Sequence, residues 1–469
     1  MVETLNGLLW GKILIGLLIG AGVWFTVASR FVQIRYFKRM FRIFKYGMHH
    51  EKGHLSSFQA LVVSVAGRVG AGNIAGVAVA ITLGGPGAIF WMWVIGLIGM
   101  ATSFFECTLA QVYKKAEPDG TYRGGPAYYM HKGMKQKWMG TFYSGLLALS
   151  VGTALIALQS FTMASSFEQS FGISPLYSGI ALAAVTAIII FGGIKRIAEV
   201  AEWIVPFMAV GYLLLGLVVI GLNLEKVPDV FTLIIKSAFG LEQAIGGGFG
   251  VAILMGVQRG LFSNEAGLGH AANVAAVAHV KHPVNQGIVQ SFSVFIDTMI
   301  LCTVTAMIIL LSDGYLNGTE TGGIALTQIS LAEHIGDWSG IFVTMALTLF
   351  AFTTILYLYY LGENGLNFFS NENKKLFNIF RVIVLIQIIW GSLQELTDIF
   401  AFADLAVGLL ALSNLISLVF LFKIGRNVLN DYDRQIAAGV EHPEFDSSKF
   451  DDLVLDSESW PELPDKASS

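Results

Sequence analysis

The chain has 469 residues, of which 54% are apolar and 13% charged, with a formal net charge of −4. A soluble domain carries about 25% charged residues, so the composition excludes a soluble enzyme, a disordered chain and a nucleic-acid binder, and leaves a polytopic membrane protein. Its 52 glycines suit helices that pack closely within a bilayer.

Apolar runs of about 20 residues can cross the roughly 30 Å hydrocarbon layer. About eleven such runs lie near 8–29, 57–83, 87–112, 138–164, 175–193, 198–223, 240–272, 286–312, 338–361, 376–398 and 401–423. They predict an all-α integral membrane fold. The first run is followed, rather than preceded, by Arg30, Arg35, Lys38 and Arg39, so it reads as a retained helix and not a signal peptide. Placing its amino end outside puts the basic loops 30–52 and 114–137, Lys195, Arg196, Lys281, Lys374, Lys375 and Arg381 on the cytoplasmic side. Only Lys226 and Lys236 then fall outside. The expected location is the cell (inner) membrane, multi-pass, with the carboxyl end in the cytoplasm. Residues 427–469 carry a net −8 and read as a solvated acidic tail. Cys107 and Cys302 fall inside apolar runs and read as free buried thiols.

The second and seventh runs are unusual membrane helices. The second contains Gly67, Gly70, Gly72 and Gly76. These read either as a helix-packing face or as an unwound stretch. The seventh shares its pattern: Arg68, Asn73, Ala75 and Gly76 match Arg259, Asn264, Ala266 and Gly267. Five runs separate the two, so they cross in opposite directions, and interrupted helices at corresponding positions of two halves point to a midplane transport site. A helix restarting near Ala71–Ile74 offers backbone N–H groups and a positive dipole end to a carboxylate. Freed carbonyls around Ala66–Val69 and on the seventh run offer oxygens to a cation or an ammonium group. A ligand carrying both groups is an α-amino acid.

The stretches GNIAGVAVAITLGGPGAIFWMWVIGLIGMATSFFE (72–106), TYRGGPAYYM (121–130), RGLFSNEAGLG (259–269), FIDTMILCTVTA (295–306) and LFAFTTIL (349–356) resemble the alanine or glycine:cation symporter family. The resemblance implies a five-plus-five inverted-repeat fold of the leucine-transporter type with two discontinuous helices. Residues 57–224 would form the first repeat and 240–425 the second. Residues 1–56 would supply an extra amino-terminal helix and a basic loop, and 427–469 the acidic cytoplasmic tail. It implies a sodium ion held by the carbonyls of Ala66, Val69 and Phe350 and the hydroxyls of Thr353 and Thr354. The substrate would meet Gly70, Ala71, Gly72 and Asn73 at the first break, Phe262 and Ser263 at the second, with Gln159 and Leu358 facing it. Without the resemblance, the threonines read as helix-satisfied hydroxyls, Gln159 as a helix-to-helix hydrogen bond and Phe262 as core. The chain departs from the family at Tyr357 and Leu358 (usually Gly-Trp), at Phe161 (usually Asn), and after the GLGHA stretch.

A further departure is Arg68, where the family has a small or hydroxyl residue. An Arg near a membrane-helix centre costs roughly 2.5–3.5 kcal/mol on insertion scales. It could oppose the cation, form a gate with Glu199, Glu202 or Glu265, bind an acidic substrate side chain, or snorkel to the inner interface. Asp297 is a second coupling candidate. Glu106 reads as structural, and Arg259 as one half of a pair near the inner face. His270, His279 and His282 form no defensible metal set, and no metal beyond sodium and no cofactor is implied. The expected function is cation-coupled import of a small neutral amino acid such as alanine, glycine, serine or glutamine. Its alternatives are proton-coupled or exchange transport without sodium, and a non-transporting amino-acid sensor. The expected partners are the amino acid, sodium and the lipid bilayer, and not nucleic acid; oligomeric state is unread.

Overall fold

A computed structural model describes residues 2–46, 54–70, 72–240, 248–316, 323–370, 373–394 and 396–461. Ala71, one of the expected substrate residues, lies outside them. The described chain is a helical bundle with one two-stranded hairpin, Lys115–Ala116 against Tyr122–Arg123. Among the described residues, eight helices are long and apolar enough to cross a membrane: Val2–Ala28, Gly87–Val112, Lys137–Phe171, Gly193–Leu222, Pro283–Leu310, Trp338–Ser370, Lys374–Ser392 and Ala401–Ala437. The pair Ser57–Arg68 and Gly72–Gly84, bent by 49°, adds a ninth. The other two expected runs fall on Pro175–Ile190 and Phe249–Asn264, of 16 residues each. At 1.5 Å per residue these reach about 24 Å, short of the hydrocarbon thickness.

Close approach of the second broken helix to Gly87–Val112 depends on its glycines. A Cβ on Gly256 would stand 2.5 Å from the Ala88 carbonyl, and one on Gly260 2.5 Å from Ile95 Cγ2. Small residues thus let two backbones approach to dispersion contact, which is what holds helices together where lipid removes the hydrophobic drive. The outward surface is apolar, with Trp203, Phe207 and Phe420 exposed, as a face turned to lipid requires.

Side-chain contacts gather the loops into two ends. At one end Arg35 pairs with Asp433 at 2.6 Å, Lys195 donates to the Asp119 carbonyl, and Arg123 and Arg381 both meet Glu363. At the other, Asn6 and Trp10 bond the backbone at Ala401 and Asp404, and Lys226 pairs with Asp313. The basic loops therefore share one end of the bundle, and the charge alternation in the sequence corresponds to a real segregation.

The tail differs from its expected solvated form. The last helix runs on to Ala437, and the chain beyond it turns back onto the basic end. Phe445, 3% exposed, donates its N–H to the Lys281 carbonyl, and Trp460, 6% exposed, donates its indole N–H to the Gln111 carbonyl at 3.0 Å. Phe445 stacks on Phe450 and meets Trp460 edge to face. Three aromatics spaced through an acidic segment supply the buried apolar area that its average composition conceals.

Candidate functional site

The first broken helix starts with a capping box, Ser56 and Gln59 each bonding the other's backbone. It ends at Arg68, and Val69 turns off the helical path with ψ 88°. The Gly70 N–H, which would continue the helix onto the Ala66 carbonyl, instead bonds Asn73 Oδ1 at 3.0 Å. The freed Ala66 carbonyl accepts from Thr354 Oγ1 at 2.9 Å. On the adjoining residue, Thr353 Oγ1 bonds back to its own helix, 3.0 Å from the Leu349 carbonyl and 3.1 Å from the Phe350 carbonyl. Of the five expected cation ligands, Ala66 and Thr354 meet across two helices, Thr353 and Phe350 bond within one as a helix-satisfied hydroxyl does, and Val69 is buried where the helix turns away.

The second break follows Asn264. Glu265 adopts the left-handed conformation at φ 54°, Gly267 and Gly269 also have positive φ, and the chain resumes as His270–Ala275. A non-glycine residue in that conformation costs roughly 1–2 kcal/mol. The freed backbone finds side-chain partners: Gly269 N–H donates to Glu106 at 3.1 Å, the Gly267 carbonyl accepts from Asn414, and the Leu268 carbonyl accepts from Tyr143. Glu106 therefore has the structural role expected of it.

The two breaks meet. A Cβ on Gly72 would lie 3.1 Å from Ser263 Cα. Asp297 ties them, accepting from Asn73 at 2.6 Å, Ser263 at 3.0 Å and Thr298 at 2.8 Å. Beside this junction is a small cavity of about 20 Å³, room for roughly one water molecule. Its walls include Gly70, Gly72, Gln159, Phe262, Leu358 and Thr354 from the expected set. Asn73 and Ser263 are not on that wall; their side chains face Asp297. Leu155, Leu268, His270 and Val407 also line it and were not anticipated. Leu155 had a legible signal, one helical turn before Gln159 on the same face. Val407 had none, because only the fold brings the last helix there.

Arg68 lines the cavity and is 1% exposed. Its guanidinium donates to the Gln290 carbonyl at 3.1 Å, to Ser293 and to Ser103. It does not snorkel, and among the described residues no carboxylate lies within ion-pair distance. Of its proposed gate partners, Glu202 bonds Gln59, and Glu265 accepts from Tyr357 at 2.7 Å and faces His270 at 2.8 Å. Arg259 pairs with Asp404 at 2.6 Å, at the end shared with Trp10. The pair lies away from the end that gathers the basic loops, because residue 259 precedes the break and lies in the half of the helix nearer Trp10.

A family model described as the sodium:alanine symporter family matches residues 1–447. The probable sodium/glutamine symporter GlnT of Bacillus subtilis is 47% identical over 94% of this chain and 92% of its own length. The sodium/alanine symporter AgcS of Methanococcus maripaludis is 36% identical over 90% and 94%. Among solved structures, MhsT in complex with L-phenylalanine aligns over 79% of this chain and 90% of its own, with a TM-score of 0.58 at 16% identity, a likeness of fold.

Proposed function

Because the chain belongs to the sodium:alanine symporter family, a family of membrane transporters rather than enzymes, we propose that it imports a small neutral amino acid together with sodium. The amino end faces outside and the basic end the cytoplasm, as the excess of Lys and Arg there favours. Residues 57–224 and 240–425 act as inverted repeats, so that eleven segments cross the membrane, the two broken ones carrying the site. The observation that carries the reading is the meeting of two backbone breaks beside a small cavity, with the Ala66–Thr354 contact alongside.

The amino acid's carboxylate takes backbone N–H groups at the start of the half-helix that begins at Gly72, and Gly70, Gln159, Phe262 and Leu358 bound it. Sodium exchanges for the two carbonyl–hydroxyl contacts of Ala66, Phe350, Thr353 and Thr354, with Val69 as the fifth oxygen. Uncharged ligands suit a monovalent ion that must also leave. A tenfold sodium gradient supplies about 1.4 kcal/mol and 100 mV about 2.3 kcal/mol per charge, together about 500-fold accumulation. Rocking of one bundle against the other gives alternating access.

The test is uptake of labelled alanine, glycine, serine and glutamine into proteoliposomes, with and without an inward sodium gradient at fixed pH and voltage. Sodium-driven accumulation above equilibrium is expected. Thr354→Val should raise the sodium concentration for half-maximal uptake by roughly tenfold, through loss of one oxygen ligand. A second reading, proton-driven or exchange transport, is favoured by the cation Arg68 one residue from Val69 and by the buried carboxylate Asp297. Accumulation that ignores sodium but follows pH would establish it instead.

A further inference from the structure

Two buried polar groups on the cavity wall have no partner among the described residues: Arg68 Nε and His270 Nε2, on side chains each 1% exposed. Buried polar groups are rarely left unmatched. The character of each follows from its surroundings. Arg68 Nε carries a hydrogen and donates. His270 Nδ1 faces the Glu265 carboxylate at 2.8 Å; with the imidazole neutral and its hydrogen directed there, Nε2 is an acceptor. Glu265 is held in turn by the Tyr357 hydroxyl, whose ring stands against Gly67, where a Cβ would be 2.2 Å away.

Both groups are positioned by the same helix. Ser103 accepts from Arg68 at 3.1 Å, and Glu106, one turn further along Gly87–Val112, accepts from Gly269 N–H, which immediately precedes His270. The wall therefore offers one donor and one acceptor on a shared scaffold.

We propose that this wall reads a side-chain carboxamide, its oxygen accepting from Arg68 Nε and its –NH2 donating to His270 Nε2. The inference rests on the amino-acid transporter reading above and names the substrate class of that site. An aliphatic side chain leaves both groups unmatched. A carboxylate satisfies Arg68 but has no hydrogen for His270 and stands near the charge of Glu265. The alternating access proposed above opens the cavity to substrate, and Ser103 and Glu106 hold the two reading groups on one helix.

The experiment is displacement of labelled glutamine from the purified full-length protein at fixed sodium, using asparagine, serine, alanine and glutamate as competitors. Glutamine and asparagine are expected to compete roughly tenfold or more better than alanine, the effect of matching a buried hydrogen-bonding group, and glutamate worse than either. His270→Asn keeps an N–H in the Nδ1 position facing Glu265 but removes the Nε2 acceptor, and should bring the glutamine-to-alanine ratio down roughly tenfold. His270→Gln, whose amide reaches the Nε2 position, should retain part of it. Gel filtration and thermal unfolding establish that the variants are folded. An unchanged ratio in folded His270→Asn overturns the proposal, as does alanine or glutamate competing as well as glutamine in the parent protein. If alanine is accumulated without any carboxamide preference, this inference alone fails. If no amino acid is accumulated or bound, the transporter reading itself fails.

Discussion

Asp297 accepts hydrogen bonds from Asn73, Ser263 and Thr298, so one carboxylate joins the first break, the second break and its own helix. Removing an acceptor strands buried donors at about 1–3 kcal/mol each. Asp297→Ala should therefore lower the thermal unfolding temperature in detergent more than Asp297→Asn, which keeps one acceptor oxygen. His282 presents a titratable case outside the membrane-spanning segments. Its Nδ1 accepts the Val284 N–H at 3.2 Å and caps the Pro283 helix, its Nε2 lies 3.4 Å from Asp431, and Tyr432 and Phe445 pack on its ring. Burial holds its pKa below the ordinary histidine value, with Asp431 opposing and Lys449 reinforcing the shift. The unfolded chain then binds the proton first, so this contribution to stability is full above about pH 6.5 and is lost as the pH falls below it. His282→Asn, a competent helix cap, should remove that acid-dependent loss. Unfolding temperatures between pH 7.5 and 5 check it.

At the scale of elements, each broken helix is matched to a partner that fills or satisfies the break. Tyr357 occupies the space that the missing side chain of Gly67 leaves. Gly67→Ala forces the ring and the helix apart, and uptake should fall at least about tenfold, since small displacements at a site are costly. Adding Tyr357→Ala should recover part of the loss in stability, a non-additivity expected only of residues in contact. Thermal unfolding of the two single variants and the double variant measures that coupling. The second break uses polar side chains instead. Glu106, Asn414 and Tyr143 supply the bonds that the helix gives up between Asn264 and His270, because no water is available in the hydrocarbon layer to do so.

For the whole molecule, the two ends of the bundle are fastened differently. At the basic end the tail crosses over the Gly87–Val112 helix and the segment after the second break. Trp460 packs with Phe445, and the Lys114 ammonium lies 4.5 Å from its ring. Truncation after Val440 removes these contacts and should lower the unfolding temperature and expose the 113–125 segment to protease; Trp460→Ala should reproduce part of both effects. A solvated tail would leave both measurements unchanged. At the opposite end the Arg259–Asp404 pair, with Arg259 also 5.9 Å from the Phe262 ring, lies between the amino-terminal helix and the cavity.

The sequence alone determined the membrane class, the positions of most of the long helices, the segregation of charge to one end and the two breaks. Each of these is written in local composition: apolar length sets a helix, glycine and polar residues interrupt it, and lysine and arginine mark the loops. The tertiary structure alone decided what the interrupted backbone touches. Asn73 and Ser263 read from the sequence as cavity residues, yet they turn to Asp297, about 220 and 30 positions away along the chain. Glu106 finds Gly269, Arg259 finds Asp404, and Tyr357, His270 and Glu265 form one chain of hydrogen bonds beside Arg68. Buried polar groups must find partners at almost any sequence distance, and the pattern of residues along one helix does not say which distant helix supplies them. The acidic tail was misread for the same reason: its charge is spread evenly and visible as an average, whereas the aromatics that dock it act at single positions.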